Sequence, residues 1–137
     1  MKKIILFSAV ALLCASMVFA AGFTKKDLAA LKGTWAGTAS GGAGISVDAK
    51  LEIMNDAEPL QAKLILSKIP EKAKSEFNVQ DPIMGESNNG KITSAGTIMF
   101  LGASPTNFFE ITSIKEKKLS GWGFFNGFKA NVTLTKK

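Results

Sequence analysis

Histidine, arginine and tyrosine are absent from the chain, and cysteine occurs once, at Cys14. The lack of histidine removes haem ligation by imidazole, His-containing zinc sites, histidine-based nucleophilic triads and any side chain whose ordinary pKa lies near neutrality. The lack of arginine removes the bidentate grip on phosphates and base edges. The lysines, spread along the chain, therefore read as a solvated cationic surface and not as a nucleic-acid site. Carboxylates offer no catalytic set either. Asp48 and Glu52 alternate outward on one segment, Asp56 and Glu58 sit in a turn, and Asp81 to Asn89 lacks the ordered oxygen ligands of an EF-hand. A Ser–Lys pair is compatible with the composition, but nothing marks one. The expectation is a protein that is not an enzyme and uses no metal or cofactor.

What is present begins with a leader. Lys2 and Lys3 precede an apolar run from Ile4 to Ala20, broken only by Ser8 and Ser16, and Val18-Phe19-Ala20 puts small residues at the positions a signal peptidase reads. An anchoring helix is the alternative, but about 17 residues only just reach the length needed to span a bilayer. A bacterial lipobox at Cys14 would want a small residue before it, where the chain has Leu13. The reading is a cleavable signal peptide at 1–20 and one domain at 21–137, exported to the periplasm or the medium, with no transmembrane span after cleavage. That domain contains no cysteine and forms no disulfide, so it rests on a hydrophobic core that about 117 residues can supply. Its surplus of lysine gives at most a weak, salt-sensitive attraction to anionic lipid or cell-wall polymers.

Thr24-Lys25-Lys26-Asp27 ahead of Leu28 and Leu31 predicts one short helix, ended by Gly33. From there the period changes to two. Ile45, Val47, Ala49, Leu51 and Ile53 alternate with polar neighbours, and Leu60, Ala62, Leu64 and Leu66 resume the alternation after turn residues Asn55 to Pro59, which predicts an antiparallel pair. Residues 70–90 read mostly as loop, with a short strand near Phe77 to Val79. Further strands are expected at Lys91–Ser94, Thr97–Leu101, Phe108–Ile114, Leu119–Phe125 and Phe128–Thr135. The fold class is all-β: an antiparallel up-and-down barrel of about eight strands with a short N-terminal helix. It does not suit an outer-membrane barrel, because lysines interrupt the surfaces that would face lipid.

Asn126-Gly127 is the strongest two-residue hairpin signal in the chain and fixes which side chains oppose each other. Counting outward, Phe125, Gly123, Gly121 and Leu119 face Phe128, Ala130, Val132 and Leu134 on one apolar side. Phe124, Trp122 and Ser120 face Lys129, Asn131 and Thr133 on the other. If that second face points to solvent, Trp122 and Phe124 form an aromatic pair beside Lys129, as at interaction sites. If a bulge inverts it, the same residues line a cavity. A third reading lays Trp122 flat over Gly121 and Gly123, shielding backbone. Phe108-Phe109 and Ile98 to Leu101 supply apolar side chains to both faces of their strands. The outer set needs a cover, such as the short helix, a partner or a ligand.

Leu31-Lys32-Gly33-Thr34-Trp35 puts Gly-x-Trp at the start of the first strand, directly after the helix, and the last strand ends in Lys136-Lys137. Here the chain resembles the calycins, the superfamily of lipocalins, fatty-acid-binding proteins and avidins. The resemblance implies a barrel closed at one end by Trp35, with Gly33 and Trp35 structural and a basic residue from the last strand across the indole. Lys129, Lys136 and Lys137 are the candidates for that residue. The disulfides of lipocalins and the biotin-gripping residues of avidins are missing. Two functional readings stand. One is an exported barrel holding a small apolar or amphiphilic ligand, with Phe109 and Ile111 facing the lumen. The other is an envelope-associated or secreted module that meets a protein partner through Trp122, Phe124, Lys129 and Asn131 on its surface.

Overall fold

The computed structural model describes residues 22–104 and 106–137, so the expected signal peptide lies outside the described residues. Eight antiparallel strands run in chain order around a closed barrel. They are β1 (Gly33–Gly41), β2 (Ser46–Ile53), β3 (Leu60–Ser67), β4 (Ile83–Ile92), β5 (Ile98–Leu101), β6 (Phe108–Lys115), β7 (Lys118–Phe125) and β8 (Phe128–Lys136). The last strand returns to pair with the first, Trp35 opposite Lys136 and Gly37 opposite Leu134. The all-β up-and-down barrel expected from the alternation is the architecture found.

Alternation sets the faces. In β2, Val47, Ala49, Leu51 and Ile53 are buried while Ser46 and Lys50 are exposed, and β3 buries Leu60, Ala62, Leu64 and Leu66. The β7–β8 hairpin has the register counted from its turn, with Phe125 opposite Phe128 and Leu119 opposite Leu134. Asn126 and Gly127 both take positive φ, 55° and 86°, as a type I′ turn requires. In β6 a bulge at Thr112 breaks the count: Ile111 opposes Gly121, but Ser113 opposes Ser120. The extra residue turns Ile114 back toward the interior opposite Leu119. Full burial of each core leucine or isoleucine contributes about 2 kcal/mol.

One end of the barrel is plugged by the N-terminal segment. The Asp27 carboxylate accepts from the Thr24 amide at 2.7 Å and from its hydroxyl at 3.1 Å, which starts a 3-10 turn (Lys25–Asp27) leading into α1 (Leu28–Leu31). Phe23, Leu28, Leu31 and Trp35 are buried at this end. Gly33 then leaves the helix at φ 131°, a conformation that side chains avoid.

Residues 70–90 differ from the sequence reading. They contain a second helix, α2 (Glu71–Phe77), and most of β4. The strand expected at Phe77–Val79 is instead the helix C-terminus, where Asn78 takes the left-handed conformation at φ 51°. Of the strand expected at Lys91–Ser94, Lys91 and Ile92 form the tail of β4, while Thr93 and Ser94 lie beyond it. A seven-residue helix is too short to display a period, and β4 has no apolar alternation of its own, because its strand conformation is imposed by pairing with β3. The short N-terminal helix also does not cover the outer side of Phe108, since it plugs the opposite end of the barrel.

Candidate functional site

The end of the barrel away from Trp35 is only half covered. Helix α2 sits on one side of it, with Ala73 buried and the Phe77 ring edge-on to Phe128 at 5.3 Å between centroids. Asp81 accepts the Ile69 amide at 3.1 Å and ties the helix-bearing segment back to the end of β3. The space enclosed beneath the helix is only about 10 Å³, too little for a ligand.

On the other side lies a cavity of about 250 Å³. It extends from Leu51 and Leu64 in mid-barrel to a mouth beside Met84, Asn107 and Asn126, and Phe100, Phe109 and Phe125 form much of its wall. Ala62, Ile83, Gly85 and Ser87 also border it. The wall is thus mainly aliphatic and aromatic, with hydroxyl and amide groups from Ser87, Asn107 and Asn126. Such a composition accepts apolar molecules and offers a few hydrogen bonds.

The mouth exists because β4 and β5 pair only briefly, through Lys91 opposite Met99 and Ile92 opposite Ile98. Beyond those pairs the Asn89 side chain takes over from the ladder. Its amide donates to the Leu101 carbonyl at 3.1 Å and accepts the Leu101 amide at 2.8 Å, imitating a strand partner. A register shift between Leu60 and Ala62 in the β3–β4 pairing accommodates the extra residue in β4 next to Asn89. Past this bridge, Ile83 to Ser87 pair with β3 but with no strand on the other side. The exposed side chains of Met84 and Leu101 flank the opening. Asn107 and Asn126 brace its rim, joined by two hydrogen bonds of 3.2 and 3.1 Å.

Glycines decide where the barrel is solid and where it is hollow. A side chain at Gly90 would collide with the Phe100 ring, one at Gly41 with Phe128, and one at Gly121 or Gly123 with neighbouring backbone and phenylalanine rings. Each of those gaps is filled by a large partner. Gly85 pairs with Leu64 but is itself exposed, at the mouth of the cavity, and a methyl group there would meet nothing within 4 Å. Its missing side chain keeps the mouth wide.

The structure separates the residues singled out from sequence. Phe109 is buried and lines the cavity, whereas Ile111 is buried in the packed core and does not border it. Trp122, Phe124, Lys129 and Asn131 lie on the outside of the wall, opposite one another as counted. The Trp122 ring stands at 89° to Phe108, 4.9 Å between centroids, and its N–H donates to Glu110 at 2.7 Å. The Lys129 ammonium sits 5.2 Å from the indole centre, and the other Glu110 oxygen accepts from Thr97 at 2.6 Å. At the closed end Trp35 is fully buried and donates to the Leu31 carbonyl at 2.8 Å. Of the three candidate lysines, Lys136 lies over it, with its ammonium 5.6 Å from the ring centre.

Sequence reasoning missed Gly85, Ser87, Asn107 and Asn126 as cavity residues. Gly85, Ser87 and Asn107 offered no signal beyond small size or an amide, and Asn126 was read only as a turn residue. Among the described residues, no group of His, Cys, Asp and Glu is arranged to hold a metal, and no helix is long and apolar enough to cross a membrane. Comparison with protein-family models, curated proteins and solved structures gave no match.

Proposed function

We propose that this chain is an exported, calycin-like barrel that binds a small apolar or amphiphilic molecule in the cavity beneath the β4–β5 gap. One observation carries the reading: the cavity has a mainly apolar wall and its own mouth, where the exposed Gly85 puts no side chain in the way. A barrel serving only as a scaffold gains by filling that space, because each lost contact costs packing energy. The Gly33–Trp35 plug with Lys136 above the indole supports kinship with calycins, and the leader at 1–20 supports export. The outer aromatic residues are engaged with one another, Trp122 with Phe108, Glu110 and Lys129. They therefore serve the wall in this reading rather than a partner.

The test is binding of a hydrophobic fluorescent probe by the wild type and by Gly85→Leu. The expected result is an emission increase with wild type that Gly85→Leu abolishes while remaining folded. Native mass spectrometry of protein from its own host should show co-purifying lipid-like mass on a chain that begins at Ala21. A clean apoprotein with no probe response would overturn the binding reading, and an intact leader on the exported protein would overturn the processing.

A further inference from the structure

We infer that the cavity selects an uncharged amphiphile of roughly ten carbon atoms and rejects carboxylates and amines of the same length. The inference rests on the binding reading above and specifies its ligand.

Size follows from volume. A cavity of about 150 Å³ holds benzene, so 250 Å³ corresponds in proportion to roughly ten carbons. Charge follows from the wall. With no arginine or histidine in the chain, lysine is the only cationic side chain available, and none of the described residues bordering the cavity is a lysine. A carboxylate drawn into this apolar wall would lose hydration without gaining a counter-ion, and desolvating an unpaired charge is among the largest penalties in a protein. An ammonium fares little better. Among the described residues, Glu86 is the one charged residue bordering the cavity, and it lies on the exposed side of β4 opposite Lys63, where water screens it.

Neutral polar groups are provided for. Ser87 lies on the inner face opposite Ala62, with its hydroxyl donating to the Asn89 side-chain carbonyl at 2.7 Å and accepting the Asn89 backbone amide at a long 3.4 Å, which leaves one lone pair for a ligand. The Asn107 side-chain amide donates to the Asn126 side-chain carbonyl, and the Asn107 side-chain carbonyl accepts the Asn126 backbone amide, which leaves side-chain amide hydrogens at the mouth for a ligand oxygen. An alcohol or primary amide, which both donates and accepts, satisfies these groups without bringing charge.

The experiment displaces the bound fluorescent probe with 1-decanol, decanoate and decylammonium, each below its micellar concentration at pH 7.5. Decanol should compete at least tenfold more tightly than either ion, and Ser87→Ala should weaken decanol several-fold more than it weakens the probe. Decanoate or decylammonium binding within threefold of decanol would overturn the charge selection. A probe that binds and is lost in Gly85→Leu, but that none of the three displaces, would overturn the size and chemistry inferred here while leaving the binding reading standing. No probe binding at all would sink both.

Discussion

Lys136 passes its side chain over Gly33, its Cε 3.2 Å from where a Cβ would stand, and delivers its ammonium both to the Trp35 ring and to the Ala30 carbonyl, the latter at 2.9 Å. One cation thus joins the last strand to the first and to the end of α1. Removing it costs a cation–π contact and a charged hydrogen bond at a half-buried site, together about 1–1.5 kcal/mol. Lys136→Ala should lower the urea midpoint accordingly, and Lys136→Arg should hold it near wild type. An unchanged midpoint for the alanine variant would show that the lysine only decorates the plug.

A packed and an open strand glycine should respond oppositely. Gly123→Ala drives a methyl into the Phe108 carbonyl and the Phe125 ring, an overpacking cost of about 2–3 kcal/mol. Gly85→Ala meets empty space and should stabilise by about 0.5–1 kcal/mol, through lower chain entropy in the unfolded state. Thermal unfolding of both variants checks the contrast; a destabilised Gly85→Ala would mean that the space is not open.

The β6–β7 hairpin turns on Glu116 and Lys117, both at positive φ, 52° and 63°. Neither side chain suits that conformation, which asparagine and glycine adopt readily. Replacing the pair through Glu116→Asn with Lys117→Gly should raise stability by about 1 kcal/mol, visible as a higher melting temperature. A lower one would indicate that the lysine-rich turn makes compensating contacts.

Trp122 and Glu110 form a pair across β6 and β7. Trp122→Ala should cost about 1–2 kcal/mol from the edge-on Phe108 contact and the lost hydrogen bond. A double-mutant cycle with Glu110→Gln should give a coupling of about 0.5–1 kcal/mol. A loss of ~3 kcal/mol or more for Trp122→Ala would put the indole in the core instead.

Stability should be flat between pH 6 and 8, because the chain has no histidine to titrate there. A hydrogen bond from Lys74 to Glu71 raises the pKa of that lysine above its ordinary value. The folded state therefore holds this proton more tightly than the unfolded chain. The contribution is fully present below about pH 10 and fades as the pH climbs through the raised value. Unfolding curves at pH 6, 7 and 8 should superimpose, and a slope among them would point to a titrating group not described above.

Most of the barrel was legible because its signals are local. The alternation from Val47 to Ile53 needs no knowledge of any other strand to choose its inner face, and Asn126-Gly127 fixes the β7–β8 register within its own hairpin. The plug was legible in part. Gly33 and Trp35 stand out through the resemblance of Gly-x-Trp to the calycin motif, but which lysine crosses the indole depends on where β8 meets β1. Strand β4 was hidden, since Gly85, Ser87 and Gly90 carry no hydrophobic pattern and its exposed residues include Met84.

Sequence by itself determined that the chain forms a β meander with an oily side and a wet side, because side-chain polarity at period two acts residue by residue. Tertiary structure alone decided where that cylinder is solid. Solidity depends on volumes contributed by residues distant in the chain: Phe109 packs beside Gly121, Phe100 fills the space at Gly90, and nothing fills the space at Gly85. The small side chains that concealed β4 from sequence reading are the ones that leave the cavity open, and no linear pattern records a missing partner.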